Sequence, residues 1–258
     1  MKKNHMKSLL DAGKPVIGAQ LRLGSPAVAE LFGCAGFDYV IFDSEHAPQT
    51  ATEIRAQIMG LSSTEATPIV RLPKNDPDLF QIYLDMGVGG ILAPLVRTAE
   101  EVERGGRACR FPPRGTRGFG PDRASRYGFD TDYFEEADNQ ILYLVIIETA
   151  EAVEAIDDIL AVAELDGYII GPYDLSISLG LPRQFDHPDY LAAVDRVHAA
   201  ARKAGKPTAT SLPATGCTPE SFREALAQGH QILLAGGDEW ILESVTRGVV
   251  ESFARATG

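Results

Sequence analysis

The sequence predicts a single (β/α)8 TIM barrel occupying residues 1–258. Three observations predict it: eight short apolar runs of strand length, helical patterns that alternate with them, and ionisable residues placed where several runs end. Buried parallel strands read as continuous apolar stretches, and in barrels the chemistry sits at their carboxyl ends.

The strands are expected at 15–20, 38–43, 68–72, 89–93, 141–147, 167–170, 206–211 and 231–235. Between them the helices are expected at 25–35, 50–62, 77–86, 98–110, 150–163, 188–204 and 219–228. Several open on Ser, Thr or Pro and close near Gly, the usual punctuation of helix ends. No GxGxxG follows the first strand, which weighs against a dinucleotide-binding open sheet. The segment 111–138, FPPRGTRGFGPDRASRYGFDTDYFEEAD, breaks the rhythm. Long irregular stretches in compact domains are often covers for active sites, and its four arginines (Arg114, Arg117, Arg123, Arg126) beside aromatics make it the expected lid. The stretch 238–258 reads as an amphipathic helix that closes the barrel or packs on a neighbouring subunit.

Composition narrows the function. A net charge of −12 argues against nucleic acid or anionic membrane as partner, because phosphate binding needs clustered Lys and Arg. Three scattered cysteines suit a reducing cytoplasm and give neither zinc spacing nor a disulfide framework. The start, MKKNHMKSLLDAGK, lacks the apolar core of a signal peptide, and no apolar run approaches membrane-spanning length.

The strand ends carry the chemistry. Glu148 follows LYLVII and Asp174 follows YII; two carboxylates on neighbouring strands suit one hard divalent cation such as Mg²⁺ or Mn²⁺. His46 closes VIFDSEH after Asp43 and Glu45, and an imidazole beside carboxylates suits general acid–base work. Asp85, before strand four, is a second candidate partner for His46. Arg71 ends IVR, where a guanidinium would clamp a carboxylate or an enolate oxygen. The backbone N–H groups of Tyr173 and Asp174 would face an anion at the start of the next helix.

As a set, GFDYVIFDSEHAP, PIVRLP, ILAPLVRTAEEV, PPRGTRGFGP, IETAEAVEAIDDI and DGYIIGPYDLSISLG resemble the HpcH/HpaI family, the metal-dependent class II pyruvate aldolases. These include 4-hydroxy-2-oxoheptanedioate and 2-dehydro-3-deoxyglucarate aldolases. The resemblance implies a barrel whose last helix is exchanged between subunits, assembled as a homohexamer from dimers. It implies Glu148 and Asp174 as ligands of Mg²⁺, Mn²⁺ or Co²⁺, and Arg71 with the amides of Tyr173 and Asp174 as the pyruvate site. His46 would be the acid–base residue, Asp85 its partner carboxylate, and Asp43 and Glu45 supporting acidic residues. One position departs: Ile146 stands where many members carry Gln.

The expected reaction is reversible cleavage of a 4-hydroxy-2-oxo acid to pyruvate and an aldehyde. Its rivals are a citrate-synthase-like ligase joining acetyl-CoA to an oxo acid, and a barrel that binds oxo acids without turnover.

Overall fold

A β-strand turns successive side chains to opposite faces, so each strand here must supply one layer inside the barrel and one outside it. The computed structural model describes residues 2–213 and 216–257, leaving Met1, Ala214, Thr215 and Gly258 outside the description. Its strands are β1 (Val16–Leu21), β2 (Tyr39–Asp43), β3 (Thr67–Arg71), β4 (Gly90–Ala93), β5 (Leu142–Ile147), β6 (Gly167–Ile170), β7 (Thr208–Leu212) and β8 (His230–Gly237). They form one eight-stranded sheet in the order β6-β5-β4-β3-β2-β1-β8-β7, with parallel pairing throughout. The outermost strands β6 and β7 lie side by side, so the sheet curls into a nearly closed barrel. This is the (β/α)8 architecture the sequence predicts.

Helices α1 (His5–Asp11), α2 (Pro26–Cys34), α3 (Ala51–Leu61), α4 (Pro77–Asp85), α5 (Ala99–Ala108) and α6 (Tyr133–Ala137) occupy the first half. The second half adds α7 (Ala150–Glu154), α8 (Ile156–Ala161), α9 (Pro172–Ser178), α10 (Pro188–Ala204), α11 (Pro219–Ala227) and α12 (Asp238–Thr257). Local chemistry sets their starts. Thr50 and Glu53 form a reciprocal capping box at α3, and the side chains of Ser25, Thr98 and Thr149 cap α2, α5 and α7. Pro opens α2, α4, α9, α10 and α11, where its missing N–H is no loss.

Three differences from the expected elements have physical reasons. The helix expected over 150–163 divides at Ala155, which leaves helical geometry at φ −89° and ψ 10°. Helix α1 was not expected; Asn4 caps it through the Lys7 amide, and it sends the fully buried Met6 into the barrel's entry end. Helix α9 follows β6 after a single residue, so Asp174 sits in its first turn.

Two apolar layers follow from the period of two. Tyr39, Ile41, Ile69, Leu142, Leu144 and Ile146 fill the barrel interior. Their neighbours Val40, Phe42, Val70, Tyr143, Val145 and Ile147 pack outward against the helices. Continuing the inner rows by one step gives Asp43 after Ile41, Arg71 after Ile69 and Glu148 after Ile146. The same alternation that builds the core therefore delivers the ionisable residues to the inner rim.

The segment 111–138 lies at the opposite end. It links the close of α5 to the start of β5, and such helix-to-strand links return to the strand-entry face. Phe111, Ala124, Tyr133 and Ala137 make a small core of their own. Arg117 is buried there over the Phe111 ring, bonded to Asp85 at 2.8 Å and to the Tyr133 hydroxyl at 2.9 Å. Within the protomer the segment therefore braces the entry end and does not cover the rim. No helix among the described residues is long and apolar enough to cross a membrane.

Candidate active site at the strand-exit rim

Asp43, the last residue of β2, is fully buried at the centre of the rim. Its Oδ1 accepts the amide N–H groups of Glu45 at 3.0 Å and His46 at 3.1 Å, and Arg71 Nε at 2.9 Å. Its Oδ2 accepts Arg71 Nη2 at 2.5 Å and Gln20 Nε2 at 2.7 Å, and Arg22 Nε lies 3.3 Å away. Burial alone would raise the carboxyl. The Arg71 guanidinium and the two amides outweigh it and hold Asp43 below the usual carboxylate range. Asp43 thus favours its anionic form and orients Arg71 through both carboxylate oxygens.

Arg71 Nη1 also lies 3.4 Å from Glu45, whose Oε2 is 3.6 Å from His46 Nε2. Burial is the main reason that Glu45 is pushed up to about 7. The Glu148 and Asp43 charges add to it, against the pull of Arg71 and His46. The His46 imidazole itself is 53% exposed and faces the rim opening.

Glu148 follows β5 and is buried. Its Oε1 accepts the Leu95 N–H at 2.7 Å from the loop after β4. Leu95 has φ 54°, a left-handed conformation that aims this amide into the rim. Burial, aided by the charge of Asp174 and opposed by the Leu95 N–H and Arg71, raises Glu148 to about 7. Gly171 makes the space: a Cβ there would stand 2.5 Å from Glu148 Oε2. Ile146 lies just beneath, its Cγ2 3.1 Å from the same point, and gives the pocket an apolar wall. Tyr173 and Asp174 are exposed in the first turn of α9, where backbone N–H groups have no helical acceptor.

A carboxylate raised mainly by burial, with a second carboxylate beside it, is an arrangement that a divalent cation stabilises, so Glu148 and Asp174 fit a metal. Among the described residues no three His, Cys, Asp or Glu side chains converge as metal donors.

The rim brings together Asp43, Glu45, His46, Arg71, Glu148 and Asp174. It does not include Asp85. That residue closes α4, beside the entry end of β3 and β4, and its half-buried carboxylate is engaged by Arg117. Five-residue strands separate the two ends by roughly 15 Å, so within the protomer Asp85 does not partner His46. Burial raises its carboxyl, only partly offset by Arg117. Three contributors escape the sequence reading: Gln20, Arg22 and the Leu95 amide. Arg22 follows an apolar strand directly, the same signal that singles out Arg71 and Glu148.

The family model for HpcH/HpaI aldolase/citrate lyase matches residues 17–238. The chain belongs to this family. A relative from Shigella dysenteriae serotype 1, named 5-keto-4-deoxy-D-glucarate aldolase, is 34% identical over 98% of this chain and 97% of its own. A family structure from Burkholderia cenocepacia superposes with a TM-score of 0.91 at 30% identity, covering 98% of this chain and 100% of that one. The structure of citrate synthase SbnG gives 0.85 at 28% identity, covering 98% of both chains. Membership makes the chain an aldolase-type carbon–carbon lyase, and the family as a whole is generally dependent on divalent metal.

Proposed function

We propose that this aldolase uses a divalent cation to cleave a 4-hydroxy-2-oxo acid reversibly to pyruvate and an aldehyde. The observation that carries the reading is the carboxylate pair Glu148–Asp174 set beside Arg71 and His46 on one inner rim. The relatives' names point to 5-keto-4-deoxy-D-glucarate as the substrate to try. Cleavage of its C–C bond beside the hydroxyl gives pyruvate and 2-hydroxy-3-oxopropanoate, with no atoms left over.

In this reading Glu148 and Asp174 hold Mg²⁺, Mn²⁺ or Co²⁺. When bound, the cation supplies Lewis-acid polarisation of the 2-oxo group. The substrate carboxylate docks on the amides of Tyr173 and Asp174, and Arg71 neutralises charge that develops on the 2-oxo oxygen. His46 accepts the proton of the substrate hydroxyl as the C–C bond breaks, and returns it in the condensation direction. Glu45 is the carboxylate within its reach. A Schiff-base route would need a lysine in the barrel mouth. Lys74 is instead exposed and paired with Asp76, and Lys206 bonds the carbonyls of Val162 and Leu165.

Self-association belongs to the same proposal. Helix α12 buries only Asp238 and exposes Trp240, Leu242, Val245, Val249, Val250 and Phe253. A second copy covering this face, in a homohexamer built as a trimer of dimers, would remove that apolar surface from water. Three unpaired cysteines suit the cytoplasm.

The test is pyruvate release from 5-keto-4-deoxy-D-glucarate. Activity should vanish with excess chelator and return with Mn²⁺, Mg²⁺ or Co²⁺. Full turnover in chelator would defeat the metal reading. The likeness to citrate synthase SbnG motivates one control: free thiol formed from acetyl-CoA and oxaloacetate would favour the ligase instead.

A further inference from the structure

Arg22 continues the inward row Gly18–Gln20 of β1 by one step and reaches three separate elements. Its Nη1 bonds Glu239 in the first turn of α12 at 2.7 Å. Its Nη2 donates to the main-chain carbonyl of His46 at 2.6 Å, and its Nε lies 3.3 Å from Asp43. The Arg22 backbone is fixed as well. Its N–H and that of Leu23 donate to the buried Asp238 carboxylate at 2.9 and 3.0 Å.

The consequence falls on His46. Its amide N–H is held by Asp43 at 3.1 Å and its carbonyl by Arg22, and these two holders touch each other. The imidazole has no such grip. It is 53% exposed, with Glu45 3.6 Å away. The ring's place at the rim is therefore inherited from its main chain, and the main chain from Asp43 and Arg22.

We propose that Arg22 is a positioning residue for His46: its guanidinium bonds the His46 carbonyl and the first turn of α12 while paired in charge with Asp43, and so sets where the imidazole meets the substrate hydroxyl. The proposal rests on the proton-handling role given to His46 above. Arg22 acts here through its bonds to His46 and Glu239, and none of them involves Glu148 or Asp174. The planar fork matters, because a lysine ammonium presents one point charge and cannot span three partners.

The experiment is a double-mutant cycle on turnover of 5-keto-4-deoxy-D-glucarate with Mn²⁺ present. Arg22→Gln should lower kcat about 100-fold, the scale expected for a catalytic group displaced by about 1 Å. KM and Mn²⁺ affinity should stay within about twofold. Arg22→Lys keeps the charge and guards against misfolding; it should lose kcat with an unchanged melting temperature. In a His46→Ala background, Arg22→Gln should cause no further loss. Equal losses in both backgrounds would assign Arg22 a merely structural role and overturn the proposal. Wild-type kcat in Arg22→Gln, with His46→Ala impaired, would overturn it while leaving the role of His46 intact. Full activity in His46→Ala would remove that role and the proposal together.

Discussion

Replacing Asp43 by Asn tests whether one buried carboxylate organises the rim. The substitution keeps the shape but removes the charge and turns one acceptor oxygen into a donor. Whichever way the amide lies, an N–H₂ group would face donors. On one side stand the N–H groups of Glu45, His46 and Arg71 Nε. On the other stand Gln20 Nε2 and Arg71 Nη2. Breaking a buried ion pair by removing one partner costs about 3–5 kcal/mol, because the remaining charge is left uncompensated. Near this chain length each kcal/mol moves the melting temperature by about 2–4 °C. A fall of about 6–20 °C is therefore expected by circular dichroism or scanning fluorimetry, with kcat reduced at least tenfold as Arg71 and the His46 turn lose their anchor. A melting temperature within about 2 °C of wild type would refute the claim that Asp43 organises this end of the barrel.

Gly171→Ala should cut turnover and Mn²⁺ affinity sharply while barely moving the melting temperature, because its Cβ would stand 2.5 Å from Glu148 Oε2; isothermal titration with Mn²⁺ checks it. The contribution of His198 to stability should fall as pH drops from about 6.5 towards 4, against the opposite contributions of Glu45 and Glu148, whose raised carboxyls take up protons in the folded state first. Burial, with help from His230 and Arg202 and opposed by Asp195, pushes His198 down to about 4 in the folded protein. In that window the unfolded chain binds the proton and the folded chain does not, so at this site acidification favours unfolding. His198→Gln should remove this contribution, so that on acidification through this window its melting temperature falls less, or rises more, than that of wild type; an unchanged slope would discard the explanation. Val249→Glu with Phe253→Glu should shift sedimentation towards smaller species if α12 seats on a second copy, and an unchanged profile would count against that seating.

Much of the rim was legible because strand periodicity and strand ends are both local signals. Glu148 and Arg71 each extend an inward apolar row by one step, and the sequence shows the row. Arg22 belongs to the same pattern, but the expected strand closed at Gln20, one residue short of the observed Leu21. The Leu95 amide was invisible, since a backbone donor aimed by a positive φ leaves no side-chain trace. The segment 111–138 was expected as a cover from its arginines among aromatics, but a link from helix to strand returns to the entry end, so within the protomer it does not reach the rim. The distance between Asp85 and His46 was hidden for the same reason. Asp85 closes a helix, and a helix between parallel strands runs from exit to entry. Arg117, one of the four arginines of the expected lid, is buried with Asp85 at that end.

Seven of the junctions between neighbouring strands are hydrogen-bonded ladders of main chain, which substitution scarcely alters. Between β6 and β7 the work passes to a clasp of side chains. The Tyr168 hydroxyl meets the Ala209 backbone and lies 2.7 Å from His198 Nδ1, and His198 packs edge-on against His230 with ring centres 4.8 Å apart. Ordinary point changes can therefore tighten or slacken the barrel's girth at this one place. This junction is set residue by residue, at an end of the molecule remote from the chemistry.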